Sequence, residues 1–116
     1  MLESRDAPDG SNYWSLTVGR IYEVLGIEGD DYRLLDDCDE PYLFDPQCFK
    51  VIDPAEPSHW ISSVDDGVRK AYPPKWVERG FFQDRHERVI DVRQEFRRGL
   101  VKWCPETAAE RGIVSI

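Results

Sequence analysis

Between positions 28 and 40 the chain carries seven carboxylates: Glu28, Asp30, Asp31, Asp36, Asp37, Asp39 and Glu40. Such a set can do three kinds of chemistry. It can hold a cation, but Asp30, Asp36, Asp37 and Asp39 lack the central glycine and closing glutamate of a calcium loop. It can supply a general acid and a general base, although nothing in the sequence positions a pair of carboxyls in unlike environments. Or it can act as a surface. Two acidic turns held within ~15–20 Å of each other by short strands, at ~3.3 Å per residue, would imitate a phosphate backbone and fill a basic cleft. They would also speed encounter by long-range steering that weakens with salt. The competing account is that turns favour Asp for backbone hydrogen bonding and solvation, and both accounts stand at this point.

The remaining reactive residues form no constellation. His86-Glu87 has Ile90 where a zinc-hydrolase helix would need its second histidine. His59, beside Trp60, has no partner in sequence and is expected to cap a strand. Cys38, Cys48 and Cys104 make an odd count without a Cys-x-x-Cys spacing, as expected for reduced structural thiols. With no nucleophile motif and no histidine placed as a base, the chain is expected not to be an enzyme and to carry no cofactor and no metal. Trp76, after Pro73-Pro74 in "PPKWVERG", is the predicted exposed anchor, tryptophan being prominent among interface hot spots. A lid folded back on the core is the alternative. Arg85, Arg88, Arg93, Arg97 and Arg98 could meet nucleic acid, but pairing with the acidic half or plain solvation is the simpler account.

The formal net charge is −8 over 116 residues, and it is polarised. Residues 1–57 hold 14 acids against 4 bases, whereas residues 58–104 hold 7 acids against 10 bases. This pattern repels nucleic acid and favours a partner with a basic surface. Apolar content of 41% and charged content of 33% suit a folded globular chain. No apolar run approaches the roughly 20 residues of a membrane span. The first residues lack the basic start and apolar stretch of a signal peptide, so a cytoplasmic location and no membrane partner are expected.

The elements that would position these residues are short. Residues 1–12 read as a flexible arm and 105–116 as a flexible tail, leaving one domain over 13–104. Within it, 13–53 reads as a β-meander. Strands are expected near 20–27, 32–37 and 42–44, with Asp45–Cys48 as a 3₁₀ turn opened by Pro46 and 49–52 as the last strand. After the linker "DPAEP" (53–57), residues 58–104 form an extension. It begins with a hairpin over 60–72 turning at Asp66-Gly67. It continues with one helix over 80–100, where Phe82, Val89 and Phe96 recur every seven residues and Val92 fills the stripe.

The run from Leu16 to Asp53 resembles a Src-homology-3-type small barrel. Leu16, Gly19, Tyr22 and Val24 match its diverging turn and second strand, and Phe44, Pro46, Phe49 and Val51 match its closing aromatic-x-Pro turn and last strand. The resemblance implies a β-barrel, and in eukaryotic members a groove for polyproline segments. Pro46 and Phe49 match that groove's floor, and Asp31-Tyr32 stand where its ridge tryptophan would be. The whole chain, a small barrel followed by a hairpin and "AYPPKW…GFF" before a helix, is similar to bacterial immunity proteins encoded beside polymorphic toxins.

The expected fold is thus mainly β: a Src-homology-3-like barrel with an added hairpin and one C-terminal helix. The expected function is non-catalytic, that of an immunity protein occluding a cognate toxin, a nuclease fitting best. Its partner-binding residues would be Glu28, Asp30, Asp31, Asp36, Asp37, Asp39, Glu40 and Trp76. An adaptor domain of Src-homology-3 type, with acids that only solubilise, is the second expectation. Salt dependence separates the two, being steep for the first and shallow for the second.

Overall fold

The computed structural model describes residues 1–10 and 12–114. Its strands are β1 (Leu2–Ser4), β2 (Ile21–Tyr22), β3 (Gly26–Glu28), β4 (Asp31–Leu35), β5 (Pro41–Phe44), β6 (Phe49–Val51), β7 (Ile61–Asp65) and β8 (Val68–Tyr72). A 3₁₀ turn, Pro46–Cys48, precedes β6, and the helices are α1 (Phe81–His86), α2 (Ile90–Trp103) and α3 (Pro105–Glu110). The fold is mixed α+β. One antiparallel sheet runs β2-β1-β6 and the other β5-β4-β3-β8-β7. The described strands do not close into a barrel: each sheet keeps two edges.

Turn chemistry explains the meander. Gly29 at φ 59° makes the β3–β4 turn, and Asp66 and Gly67, both at positive φ, give the β7–β8 hairpin its tight turn. Asp45 caps the 3₁₀ turn by accepting from the Gln47 N–H at 3.0 Å, with Pro46 at its first position. Alternation along β4 then builds two apolar layers. Leu34 joins Leu2, Tyr22, Phe44 and Phe49 between the two sheets. On the other face Leu35 joins Leu25, Tyr72, Trp76, Phe96 and Leu100 under the helices.

Four expectations need correction. Residues 2–4 are not part of a flexible arm: β1 is the central strand of the smaller sheet, and Leu2 is buried between Tyr22 and Val51. Pairing on both sides supplies the order that this polar stretch lacks on its own. The helix expected over 80–100 is two helices. Val89 and Ile90 are exposed, so the heptad is not one continuous buried stripe. The first helix ends in a Schellman motif with Arg88 at φ 64°, the Val89 N–H donating to Asp84 O and the Arg88 N–H to Arg85 O, both at 3.0 Å. The tail after 104 folds into α3, which buries Ala108 and closes with the same motif at Gly112. Finally, the sheets are two open layers under three helices, where one barrel with one helix was expected.

Candidate docking surface

The seven carboxylates divide by the end of the five-stranded sheet on which they stand. At the β4–β5 end, protein groups hold all four. Asp36 is buried at 2% exposure, and its Oδ1 accepts the Cys38 and Glu40 N–H groups at 2.9 and 3.0 Å, closing the turn. Asp37 accepts from Arg20 Nη1, Tyr22 Oη and Thr17 Oγ1, each at 2.7 Å. Partial burial pushes its carboxyl up, but the hydrogen bonds from Tyr22 and Thr17 and the Arg20 charge outweigh this and hold it below the usual carboxylate range. Asp39, at φ 61°, pairs with Arg111, and Glu40 accepts from Arg85 Nη1 at 2.7 Å. Arg111 also donates to the carbonyls of Leu35 and Asp36. The cations come from the first long loop, from α1 and from the residue after α3.

Glu28 is committed as well. Its Oε1 accepts from Tyr72 Oη at 2.8 Å and faces Arg33 Nη2 at 3.4 Å. Arg33, only 8% exposed, donates through Nε to Tyr72 Oη and through Nη1 to Pro41 O, both at 2.7 Å, with its guanidinium 3.9 Å from the Phe82 ring centroid. Burial pushes the Tyr72 hydroxyl far above its ordinary value, so it stays protonated and bridges cation and carboxylate. Five of the expected binding acids therefore serve the fold.

Asp30 and Asp31 are different. Both are exposed, and neither pairs with a cation among the described residues. The β3–β8 ladder sets Glu28 opposite Lys70, and the Gly29 N–H donates to Arg69 O at 2.8 Å. The β3–β4 turn and the β7–β8 turn therefore lie side by side at one end of the sheet, and Asp30-Asp31 neighbours Asp65-Asp66. Asp65 faces Lys70 and Arg79 at 3.6 and 3.8 Å, and Asp66 is exposed without an ion pair among the described residues. Nearness in the chain groups residues 28–31 with 36–40, and the fold separates them. That grouping misses Asp65 and Asp66, for which only the β3–β8 register gives a signal.

Trp76 is not an exposed anchor. At 1% exposure it fills the helix-covered core, its ring 4.7 Å from Phe96, and Gly99 leaves the space: a Cβ there would lie 2.6 Å from the indole. The exposed tryptophan is Trp14, at 87%, in the long loop between β1 and β2. Its neighbour Tyr13 packs edge-on to Phe44 at 4.8 Å.

Comparisons of the chain with family models, with curated proteins and with solved structures each return no match.

Two hollows complete the surface. A cleft of about 510 Å³ between α2 and the β4–β5 turn contains Arg93 and Arg97 beside the committed Arg85 and Arg111. A cavity of about 310 Å³ lies where the smaller sheet stops short of covering β3, roofed by the 53–57 segment. Its walls include Leu2, Ile27, Val51, Tyr32 and Trp60. His59 stacks on Trp103 at 4.4 Å, and burial pushes its imidazole toward the neutral form. The three cysteines form no disulfide, and among the described residues no group of three or more His, Cys, Asp or Glu side chains is placed to hold a metal. Among the described residues, no helix is long and apolar enough to cross a membrane.

Proposed function

We propose that the protein is a non-catalytic binding module that docks to a partner with a basic surface. In the setting that the sequence resemblance implies, it is an immunity protein occluding the active or substrate cleft of a bacterial toxin, a nuclease fitting best. The observation that supports this reading is the acidic end of the five-stranded sheet. There Asp30, Asp31 and Asp66 stand exposed on adjacent turns and form no ion pair among the described residues, while the carboxylates of the opposite end are held by internal partners. Uncompensated charge on rigid turns costs little reorganisation on binding and steers a basic partner. A finer fold reading accompanies this one. The succession of β1, the long loop, β2 and β3, β4, β5, the 3₁₀ turn and β6 follows the order of a Src-homology-3-type small barrel, left open here.

The test is co-expression with the product of the neighbouring gene. Rescue of growth and co-purification support the immunity reading. Replacing Asp30, Asp31 and Asp66 with lysine should then weaken binding at least tenfold at low salt, and an unchanged affinity would remove the electrostatic mechanism.

A peptide-binding adaptor is the second reading, and Trp14 favours it: a tryptophan 87% exposed beside Tyr13 in the long loop is placed to pack on an extended segment. Under that reading Trp14→Ala abolishes binding, the lysine triple variant does not, and salt has little effect.

A further inference from the structure

The strap-roofed cavity has walls, charge and an aromatic pair that together select one class of ligand. Its floor is Ile27 of β3 and Tyr32 of β4, paired in register on the face of the sheet turned away from the helices. Leu2 and Val51 form one wall and Trp60 another. The roof, residues 53–57, is exposed along its whole length. It is fastened at one end, where the Ile52 and Asp53 N–H groups donate to Met1 O at 3.0 and 3.3 Å. At the other end Glu56 forms a bidentate pair with Arg69, at 2.7 and 3.1 Å. A volume of about 310 Å³ is at the lower end of the range for small-ligand pockets.

The polar lining is acidic. Glu23, Asp53 and Glu56 border the cavity, and among the described residues no Lys, Arg or His side chain does. Arg69 compensates Glu56 from outside the lining. Glu23 accepts the Thr107 hydroxyl at 2.6 Å and Asp53 the Ala55 N–H at 3.0 Å, and neither carboxylate has a side-chain cation among the described residues. The Met1 ammonium is the one cation on the lining, and it donates to the Asp53 backbone carbonyl at 3.3 Å. Such a site repels anions. A neutral hydrocarbon would fill the walls but gain nothing from the charge of Glu23 and Asp53, which have only neutral hydrogen-bond donors among the described residues. An ammonium on an apolar stem suits both, its stem against Ile27, Leu2 and Val51 and its charge at the acidic part of a lining that also holds Tyr32 and Trp60.

We propose that this cavity is a binding site for an alkylammonium group, either a small free amine or a lysyl side chain offered by a partner. The inference goes beyond the docking reading and does not depend on it, because the site can be probed with no partner present. Isotope-labelled protein is titrated with n-butylammonium, with the neutral isostere 1-butanol and with N-acetyl-lysine methylamide, following the Trp60 indole and the Ile27 and Leu2 methyl resonances. The expected result is saturable shifts with both ammonium probes, at least fivefold weaker binding of butanol, and loss of the difference in a Glu23→Gln, Asp53→Asn variant whose spectrum otherwise matches the parent. Tighter binding of the lysyl probe assigns the site to a partner's side chain, and tighter binding of butylammonium to a free amine. Equal binding of butanol, or no saturable shift with either ammonium, overturns the proposal. Neither of those outcomes bears on the Asp30, Asp31 and Asp66 surface, which is tested separately by the lysine triple variant.

Discussion

Both ends of the five-stranded sheet are acidic but use their carboxylates differently: at one Asp36, Asp37, Asp39 and Glu40 are all held by protein groups, whereas at the other only Glu28 and Asp65 are paired and Asp30, Asp31 and Asp66 form no ion pair among the described residues. At the first end, Arg20, Arg85 and Arg111 arrive from three different parts of the chain and turn the acids into cross-links between the meander, the long loop and the helices. At the second, Asp30, Asp31 and Asp66 are exposed and form no ion pair among the described residues, with Lys70 and Arg79 turned to Asp65. Formal charge is therefore a poor guide to the charge a surface offers. A carboxylate clasped by a half-buried guanidinium contributes to cohesion and little to the outer field, whereas one on a bare turn does the reverse.

The largest test of this contrast removes a clasp. Arg33→Ala leaves Glu28 and the Pro41 carbonyl without their buried donor, and urea unfolding should show a loss of about 3–5 kcal/mol, the range for breaking a buried ion pair. Asp30→Ala and Asp31→Ala should stay within about 0.5 kcal/mol of the parent, as surface substitutions do. If Arg33→Ala were equally silent, the distinction between clasped and bare carboxylates would collapse.

Arg111→Ala comes next. Its side chain is 9% exposed and bonds two backbone carbonyls besides Asp39. A loss of about 2 kcal/mol is expected, with increased amide exchange in the β4–β5 turn and in α3. An effect confined to α3 would mean that the turn holds itself.

A smaller effect follows from pH. The folded Asp37 carboxyl titrates below its unfolded value, so its contribution to stability is complete above the unfolded pKa and is lost as pH falls through the folded one. The Asp37→Asn variant should start about 1 kcal/mol less stable than the parent at neutral pH and should lose stability less steeply below about pH 4. Identical acid limbs for both proteins would show that Asp37 is not part of the clasp.

The smallest separates charge from turn geometry. Asp66 lies at φ 51°, a conformation that Asn tolerates equally well. Asp66→Asn should therefore leave the melting temperature unchanged while weakening the salt dependence of partner binding. A drop in melting temperature would mean that this carboxylate is structural too.

How far the fold could be read from the chain depended on distance in sequence. The meander, the 3₁₀ turn and the second hairpin were legible because each is decided by neighbours: Pro46 after Asp45, Gly29 in its turn, Asp66 beside Gly67. β1 was not legible, since it is three residues held by distant partners, whereas α3 had local signals, Pro105 at its start and Gly112 past its end, that its shortness and polar composition outweighed. The acidic pattern was visible, but its fate was not, because the bonds from Arg20, Arg85 and Arg111 to the β4–β5 turn span 17, 45 and 72 to 75 positions. The exchange of roles between Trp76 and Trp14 has the same origin. A tryptophan after two prolines looks exposed until Gly99 is known to leave room for it, and a tryptophan in a polar stretch looks ordinary until its loop is seen to leave it bare.

The central place of β1 in the smaller sheet bears on how the protein is made. Leu2 is made before both of its neighbours, Tyr22 and Val51, the latter on a strand that emerges only after the whole meander. The smaller sheet therefore cannot assemble vectorially. Its first strand must wait, with a buried-type leucine uncovered, for the closing strand to be translated.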